Sequence, residues 1–340
     1  YGNASGTFYL IGGRGTRAVQ KFDPATNIWT DTGEQTNNLH HFQPVFYDDL
    51  IYILGAFTGG YPNENPVADV LTFDPATDTW GTDGQIPPAR RRGSAGVITY
   101  DNKIYMVGGN TNGHNANYVA WFDEFDPVTN SWIALADAPT ARDHFTAVVI
   151  GDQLIIIGGR QTDHTDPNGV FANVIAEIDI YDFATGMWQT VPAASNLNPP
   201  RAGSMNVPYG DEVIVIGGES LAQGNAHDDV QAFDVTNNTW RTLDDLIEGR
   251  HSGGAVVEAN QIFVAAGNST RGGGNELNNQ ELFTFDVTPS AVAYSQINAS
   301  ESASLPFWLL TVILAAATLS TIYIITKIPL HPWRISNSAE

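Results

Sequence analysis

Cysteine is absent from all 340 residues. That removes disulfides, cysteine-based zinc sites and thiol nucleophiles together. It leaves the compartment open, because a large β core stands without staples. Basic residues are scarce: 15 Lys and Arg face 37 Asp and Glu, a net charge of −22. Phosphate binding needs a basic face, so nucleic acid is not an expected partner. No Gly-x-Ser-x-Gly elbow, calcium loop or zinc-ligand spacing is present. Long uncharged apolar runs are missing too, with one exception near the C-terminus.

What is present is a repeat. Asp23-Pro24 is followed by Trp29, Asp74-Pro75 by Trp80, Asp126-Pro127 by Trp132, Asp182 by Trp188 and Asp234 by Trp240. A sixth copy, Phe285-Asp286, has Val292 in the Trp position, and the six aspartates step by 51, 52, 56, 52 and 52 residues. Apolar runs ending in a Gly pair or its relic recur in the same period: Phe8–Gly13, Ile51–Ala56, Ile104–Gly109, Leu154–Gly159, Val213–Gly218 and Ile262–Gly267. Seventeen residues before the end of each later pair lies Arg92, Arg142, Arg201 or Arg250, with Leu39 in the second copy. A fixed period with turn chemistry in every copy marks a repeat architecture.

One unit reads as four short strands. Ile104–Val107 is apolar without alternation, so both faces of that strand need cover. Gly108-Gly109 permits a turn or a close backbone approach at the strand end. Asp126-Pro127 supplies a turn, and Trp132 is a wide apolar surface suited to wedging between sheets. One such sheet is covered on neither face; six packed radially cover one another, which predicts an all-β, six-bladed β-propeller. The Gly pair, the aromatic-Asp-Pro turn, the Trp six residues on and the Arg opening the next sheet resemble Kelch repeats over residues 6–297. The departures are Ala56 and Ala266 in the Gly pair, Leu39 for Arg and Val292 for Trp.

The expected organisation is a propeller over 1–297, a linker over 298–304, a transmembrane helix over 305–326 and a cytosolic tail over 327–340. The first Arg-strand would lie before Tyr1, so either the ring-closing strand is absent or blade one has three strands. Leu305–Thr326 is 22 residues without charge. As a helix it would be about 33 Å long, enough to cross a bilayer. Trp308 and Tyr323 stand where interfacial aromatics belong, and Lys327 and Arg334 follow the run. This bias predicts a single-pass protein with an extracellular or luminal propeller. Glycolipid-anchor signals end apolar, whereas this run continues into Lys327–Glu340. Sequons at Asn3, Asn237, Asn268 and Asn298 agree with a secretory route, with Asn268 and Asn298 the favoured acceptors.

Candidate ligand-binding residues follow from the register. Arg92, Arg142, Arg201 and Arg250 either converge on an acidic ligand or hold neighbouring carbonyls and carboxylates inside the disc. His144 and His251 stand beside two of them as further candidates for a polar site, and His40-His41 is another. The loops between second and third strands vary in length and carry Tyr61, Tyr118 and Phe171; variable loops on a rigid scaffold are where binding resides. Metal is not expected: Asp163-His164-Thr165-Asp166 and His227-Asp228-Asp229 match no ligand spacing. No cofactor is expected either.

Two functional readings remain. One is a membrane-anchored binding module for a protein or glycan, as an accessory subunit of a larger assembly in one variant. The span carries Ala315-Ala316-Ala317 and Ser320, small residues that permit close helix approach. The other is a carbohydrate-active enzyme similar to the Kelch mutarotase that acts on sialic acid, working through channel-facing Arg and carboxylates. Copper-dependent sugar oxidases of propeller fold are similar in outline but need a Tyr–Cys crosslink, which a chain without cysteine cannot form.

Overall fold

In each repeat the unalternating apolar run becomes the second strand, buried on both faces. Ile104–Val107 and Leu154–Ile157 are buried at every position. A computed structural model describes residues 2–4 and 6–285. Five four-stranded antiparallel sheets follow one another, with a sixth that has three strands among the described residues. Blade three is representative: Gly96–Tyr100, Lys103–Val107, Phe122–Asp126 and Ser131–Ala134 pair in sequence order from the channel outward.

Six apolar layers hold the sheets, one at each blade-to-blade junction. Tyr9, Ile11 and Val19 of blade one meet Ile51, Ile53 and Phe73 of blade two. The same alternation runs around to Val256 and Phe263 of blade six, which pack on Phe8 and Phe22 of blade one and close the ring. Each fully buried Val, Leu, Ile or Phe contributes about 1.5–3 kcal/mol. An exposed pair such as Arg241–Glu212 contributes about 0–1 kcal/mol. The layers therefore dominate the stability of the disc.

The repeated residues have definite places in these layers. The aromatic before each Asp pairs across the sheet with the Trp, as in Phe125↔Trp132, Tyr181↔Trp188 and Phe233↔Trp240. Trp188 donates to Ala136 O of the preceding blade at 2.9 Å, and Trp240 to Ser195 O at 2.8 Å. The tryptophan wedge expected from the sequence is thus present, with a polar latch at Trp188 and Trp240. Each Asp caps its own turn: Asp23 accepts from Ala25 N, Asp74 from Ala76 N and Asp126 from Val128 N.

Two expectations are corrected. Blade one has four strands, because Gly2–Ala4 pairs with Thr7–Leu10 and takes the innermost place. The aspartate position of the sixth copy lies two residues before Asp286. Ile262 pairs with Phe283 in blade six just as Ile104 pairs with Phe125 in blade three, so Phe283-Thr284 occupies the aromatic-Asp position. Among the described residues no helix is long and apolar enough to cross a membrane. Leu305–Thr326, the tail, Asn298 and Val292 lie outside the described residues.

Candidate functional site

The arginine register lies inside the blades. Arg92, Arg142, Arg201 and Arg250 are at most 1% exposed. Arg92 Nε donates to Gly108 O at 2.6 Å, Arg201 Nε to Gly217 O at 2.7 Å and Arg142 Nη1 to Gly158 O at 2.9 Å. Arg250 donates to Ala266 O and to the Glu281 carboxylate. Asp123 and Asp179 complete the pairing for Arg92 and Arg142, and Gln231 that for Arg201. Burial pulls the Arg92 and Arg201 guanidinium pKa values down to about 10. The four side chains staple each Gly pair to its own blade, which is the second of the two roles open to them from sequence.

The same segments build the channel wall two residues on. His41, Ser94, His144, Gly203 and Ser252 stand two places after Leu39 and the four arginines, all with φ between 54° and 63°. Ser94 N donates to His41 O, His144 N to Ser94 O, Gly203 N to His144 O and Ser252 N to Gly203 O, at 2.7–3.2 Å. A hydrogen-bonded ring thus runs from blade two to blade six. The Gly pairs reach across blades as well: Gly109 N donates to Arg142 O, Gly159 N to Arg201 O and Gly218 N to Arg250 O.

Above this ring the loops between second and third strands meet. Neighbouring loops share backbone bonds: His114 N to Pro62 O, His164 N to His114 O, Leu221 N to Phe171 O and Arg271 N to Gly224 O. Arg17 of blade one reaches Glu276 of the blade-six loop. The loops therefore form a collar, not six separate tips.

Beneath the collar one polar side chain from each blade joins a chain of contacts. His251 Nε2 lies 3.5 Å from Glu219, Glu219 accepts from Arg160 at 2.6 Å, and Arg160 Nη2 lies 3.5 Å from His114 Nε2. His114 Nδ1 lies 3.1 Å from Glu64, and Glu64 pairs with Arg14. Burial by itself would raise the Glu64 and Glu219 carboxyls, yet His114 and Arg14 hold the first below the usual range, and Arg160 and His251 the second. Asp143, fully buried, is pushed up by burial against the pull of Arg160, Thr162 and Asn110.

The histidines converge on this chain. The rings of His41, His114 and His144 lie 4.9–5.2 Å apart, centre to centre. Burial, with neighbouring cationic groups, drives the His41 and His144 pKa values well below the ordinary value, and burial lowers that of His40. Tyr61, 51% exposed, packs on His114 and bonds His164 Nδ1 at 2.8 Å. It also borders a shallow cavity of 460 Å³ with Arg14, Thr16, Asn38, Gly59 and Gly60. Tyr118 is partly buried and bridges Asn110 through its backbone.

Of the predicted binding residues, His144, His251 and Tyr61 are thus at the mouth, and the arginines are beneath it. His114, Glu64, Asp143, Arg160 and Glu219 went unsingled in the sequence. Three of these had a signal. The residue after the Gly pair (Asn110, Arg160, Glu219, Asn268) bridges the residue directly after the register arginine. Its varied polarity at a fixed register marks the channel mouth. That placement also bears on the sequons: Asn268 Oδ1 is buried without a partner, whereas Asn237 is exposed. Asn3 lies in the strand Gly2–Ala4.

The family described as KLHDC2/KLHL20/DRC7 Kelch-repeats domain matches residues 2–159, 41–267 and 135–324. Kelch-like protein terF of Aspergillus terreus is 28% identical over 264 residues, covering 76% of this chain and 56% of that protein. Kelch-like protein 23 of Homo sapiens is 25% identical over 272 residues, 78% of this chain and 44% of that protein. Beta-scruin of Limulus polyphemus is 26% identical over 226 residues, 65% of this chain and 24% of that protein. The chain therefore spans about half or less of the length of each. Among solved structures, one titled "Structure of YjhT" superposes with a TM-score of 0.67 at 18% identity, covering 84% of this chain and 94% of that one.

Proposed function

The chain belongs to the Kelch-repeat family, and from that premise we propose that it is a protein-binding module that docks its partner on the loop collar at the channel mouth. The observation that carries this reading is the collar itself. Loops of unequal length and unrelated sequence are tied to one another by backbone bonds into one continuous surface. A pre-ordered surface loses little conformational entropy on docking. It presents Tyr61, Leu221 and the exposed stretch 164–168 of blade four, a mixture of aromatic, apolar and acidic groups. The carbohydrate-enzyme reading loses its main support, because the arginines it relied on have no exposed face.

We further place this module on a membrane anchor, with the propeller extracellular or luminal and Lys327–Glu340 cytosolic. Support comes from the 22-residue uncharged run Leu305–Thr326 and the basic residues that follow it. Packing of Ala315–Ala317 and Ser320 against partner helices would make the protein an accessory subunit. Protease treatment of sealed vesicles from the native source checks the topology: an epitope after Lys327 is expected to be clipped from only the cytosolic side.

The docking face is tested by photo-crosslinking. A photoreactive residue is placed at Tyr61, Asn168 or Asn275 on the collar, and at Thr129 or Asn237 on the opposite turns. One protein, captured in the native source from at least two collar positions and neither turn position, is the expected outcome. Capture from the turns alone would overturn the assignment of the face.

A further inference from the structure

His41, His114 and His144 come from three consecutive blades, and one ring nitrogen of each lies within 4.8 Å of the other two. The outward nitrogens are already committed. His114 Nδ1 lies 3.1 Å from Glu64, which accepts from Arg14 on its other side. His144 Nδ1 lies 2.5 Å from Asp143 Oδ1. Asp143 is surrounded by donors, Thr162 Oγ1 at 2.5 Å and Asn110 Nδ2 at 3.2 Å, so the imidazole N–H donates to it as well.

His41 is fixed through its neighbour. His40 Nε2 donates to Gly59 O at 3.0 Å, which leaves His40 Nδ1 as an acceptor. His41 Nδ1 lies 2.6 Å from that atom and must be the donor. In all three rings Nδ1 is thus the engaged nitrogen, which leaves Nε2 as the atom free to ligate. His144 Nε2 is buried without a partner. His114 Nε2 has only the long contact of 3.5 Å to Arg160.

Ring nitrogens gathered this closely, with only the long Arg160 contact to one of them, are suited to share a cation. We propose that His41, His114 and His144 form a binding site for a single divalent transition-metal ion, each ring giving its Nε2. Three neutral imidazoles suit zinc, copper or nickel and not the oxygen-seeking calcium or magnesium. A triangle with sides of at most 4.8 Å has its centre within about 2.8 Å of each corner. Metal–imidazole bonds run at about 2.0–2.1 Å, so each ring moves inward by about 0.7 Å at most. The outer partners are those that metal-bound histidines use: two carboxylates and a backbone carbonyl, the last relayed through His40.

The charge balance permits a dication. Glu64, Asp143 and Glu219 face the cluster against the guanidiniums of Arg14 and Arg160, which leaves one surplus negative charge. Arg160 keeps its bonds to Glu219 and Thr162 when His114 Nε2 turns to the ion. Blades two, three and four would then be tied at the channel mouth. This site does not depend on which protein the collar binds.

The test is titration of the purified full chain with Co²⁺, read by the visible absorption of a nitrogen-ligated, low-coordinate ion. Saturation at one equivalent, with displacement by Zn²⁺, is expected. His144→Asn should abolish the band, Asp143→Asn should weaken binding about 10–100-fold through loss of ring orientation, and His164→Asn should leave it unchanged. X-ray absorption on the unaltered chain loaded with one equivalent of Zn²⁺ guards against misfolded variants; three imidazole nitrogens at about 2.0 Å are expected. No saturable band, a band indifferent to His144→Asn, or a first shell of carboxylate oxygens would each overturn the site.

Discussion

A single methyl group tests how tightly the blades are joined. Gly217 has φ +59°, and a Cβ there would lie 2.1 Å from Arg250 O of the next blade. Gly151 has φ +57° in a turn, with nothing within 4 Å of the same added atom. Both positions penalise an L side chain by about 1–2 kcal/mol for the left-handed backbone. Only Gly217 adds a backbone collision that no rotamer relieves. Gly151→Ala should therefore lose about 1–2 kcal/mol in urea unfolding, and Gly217→Ala clearly more, or fail to fold. Equal losses would mean that the Gly pair serves turn geometry alone. Removing the guanidinium beneath it acts by another route. Arg142→Ala leaves the Asp179 carboxylate buried without its main partner, a loss of about 3–5 kcal/mol in the same measurement. The blade-four histidine should lose its ordered place with it, since Arg142 and His144 share one short segment.

At the scale of the blade, the strands were legible because each carries a local signal that repeats. Trp132, Trp188 and Trp240 stand opposite the aromatic that their spacing from Asp implied. Where the local signal failed, so did the register. Thr284 stands in the aspartate position, and the nearby Asp286 offers the same residue type two places on. Gly2–Ala4 escaped notice as a strand because it has no apolar side chain longer than alanine, and its place is set by pairing with Thr7–Leu10. The site was less legible still. His40-His41 and His144 were visible as a register, but His114 lies inside a loop without period. It reaches its partners only because Pro62 and His164 hold the loop backbone from either side. Nothing in the sequence around His114 marks that meeting. The wedge offers an element-scale check: Trp240→Phe keeps the ring on Phe233 but loses the bond to Ser195 O. A loss of about 0.5–1.5 kcal/mol is expected from the bond alone, read as a shift in the urea midpoint. A loss matching that of Trp240→Ala would show that the fit of the indole, not its N–H, holds the blades.

For the molecule as a whole, acidification has two opposed effects in different pH windows. The surplus of carboxylates, net −22, repels itself at neutral pH. Relief of that repulsion begins only where ordinary carboxyls titrate, near pH 4. The imidazoles at the channel mouth act earlier. His41 and His144 have folded pKa values below the unfolded value of 6.5, so below that pH the unfolded chain takes up protons that the folded chain refuses. Their contribution is complete above pH 6.5 and is lost as pH falls towards their folded values. Between pH 6.5 and 5.5 each costs at most about 1 kcal/mol by linkage. Urea unfolding of the full chain should thus show a midpoint falling through this window, before any gain from the acidic surface. His144→Asn should flatten the fall by about half while lowering stability at pH 7.5. A midpoint that stays level or rises as pH drops from 6.5 to 5.5 would mean that the histidines accept protons in the folded state. The mouth of the channel would then be open to water, and the collar would not be the pre-ordered surface on which docking depends.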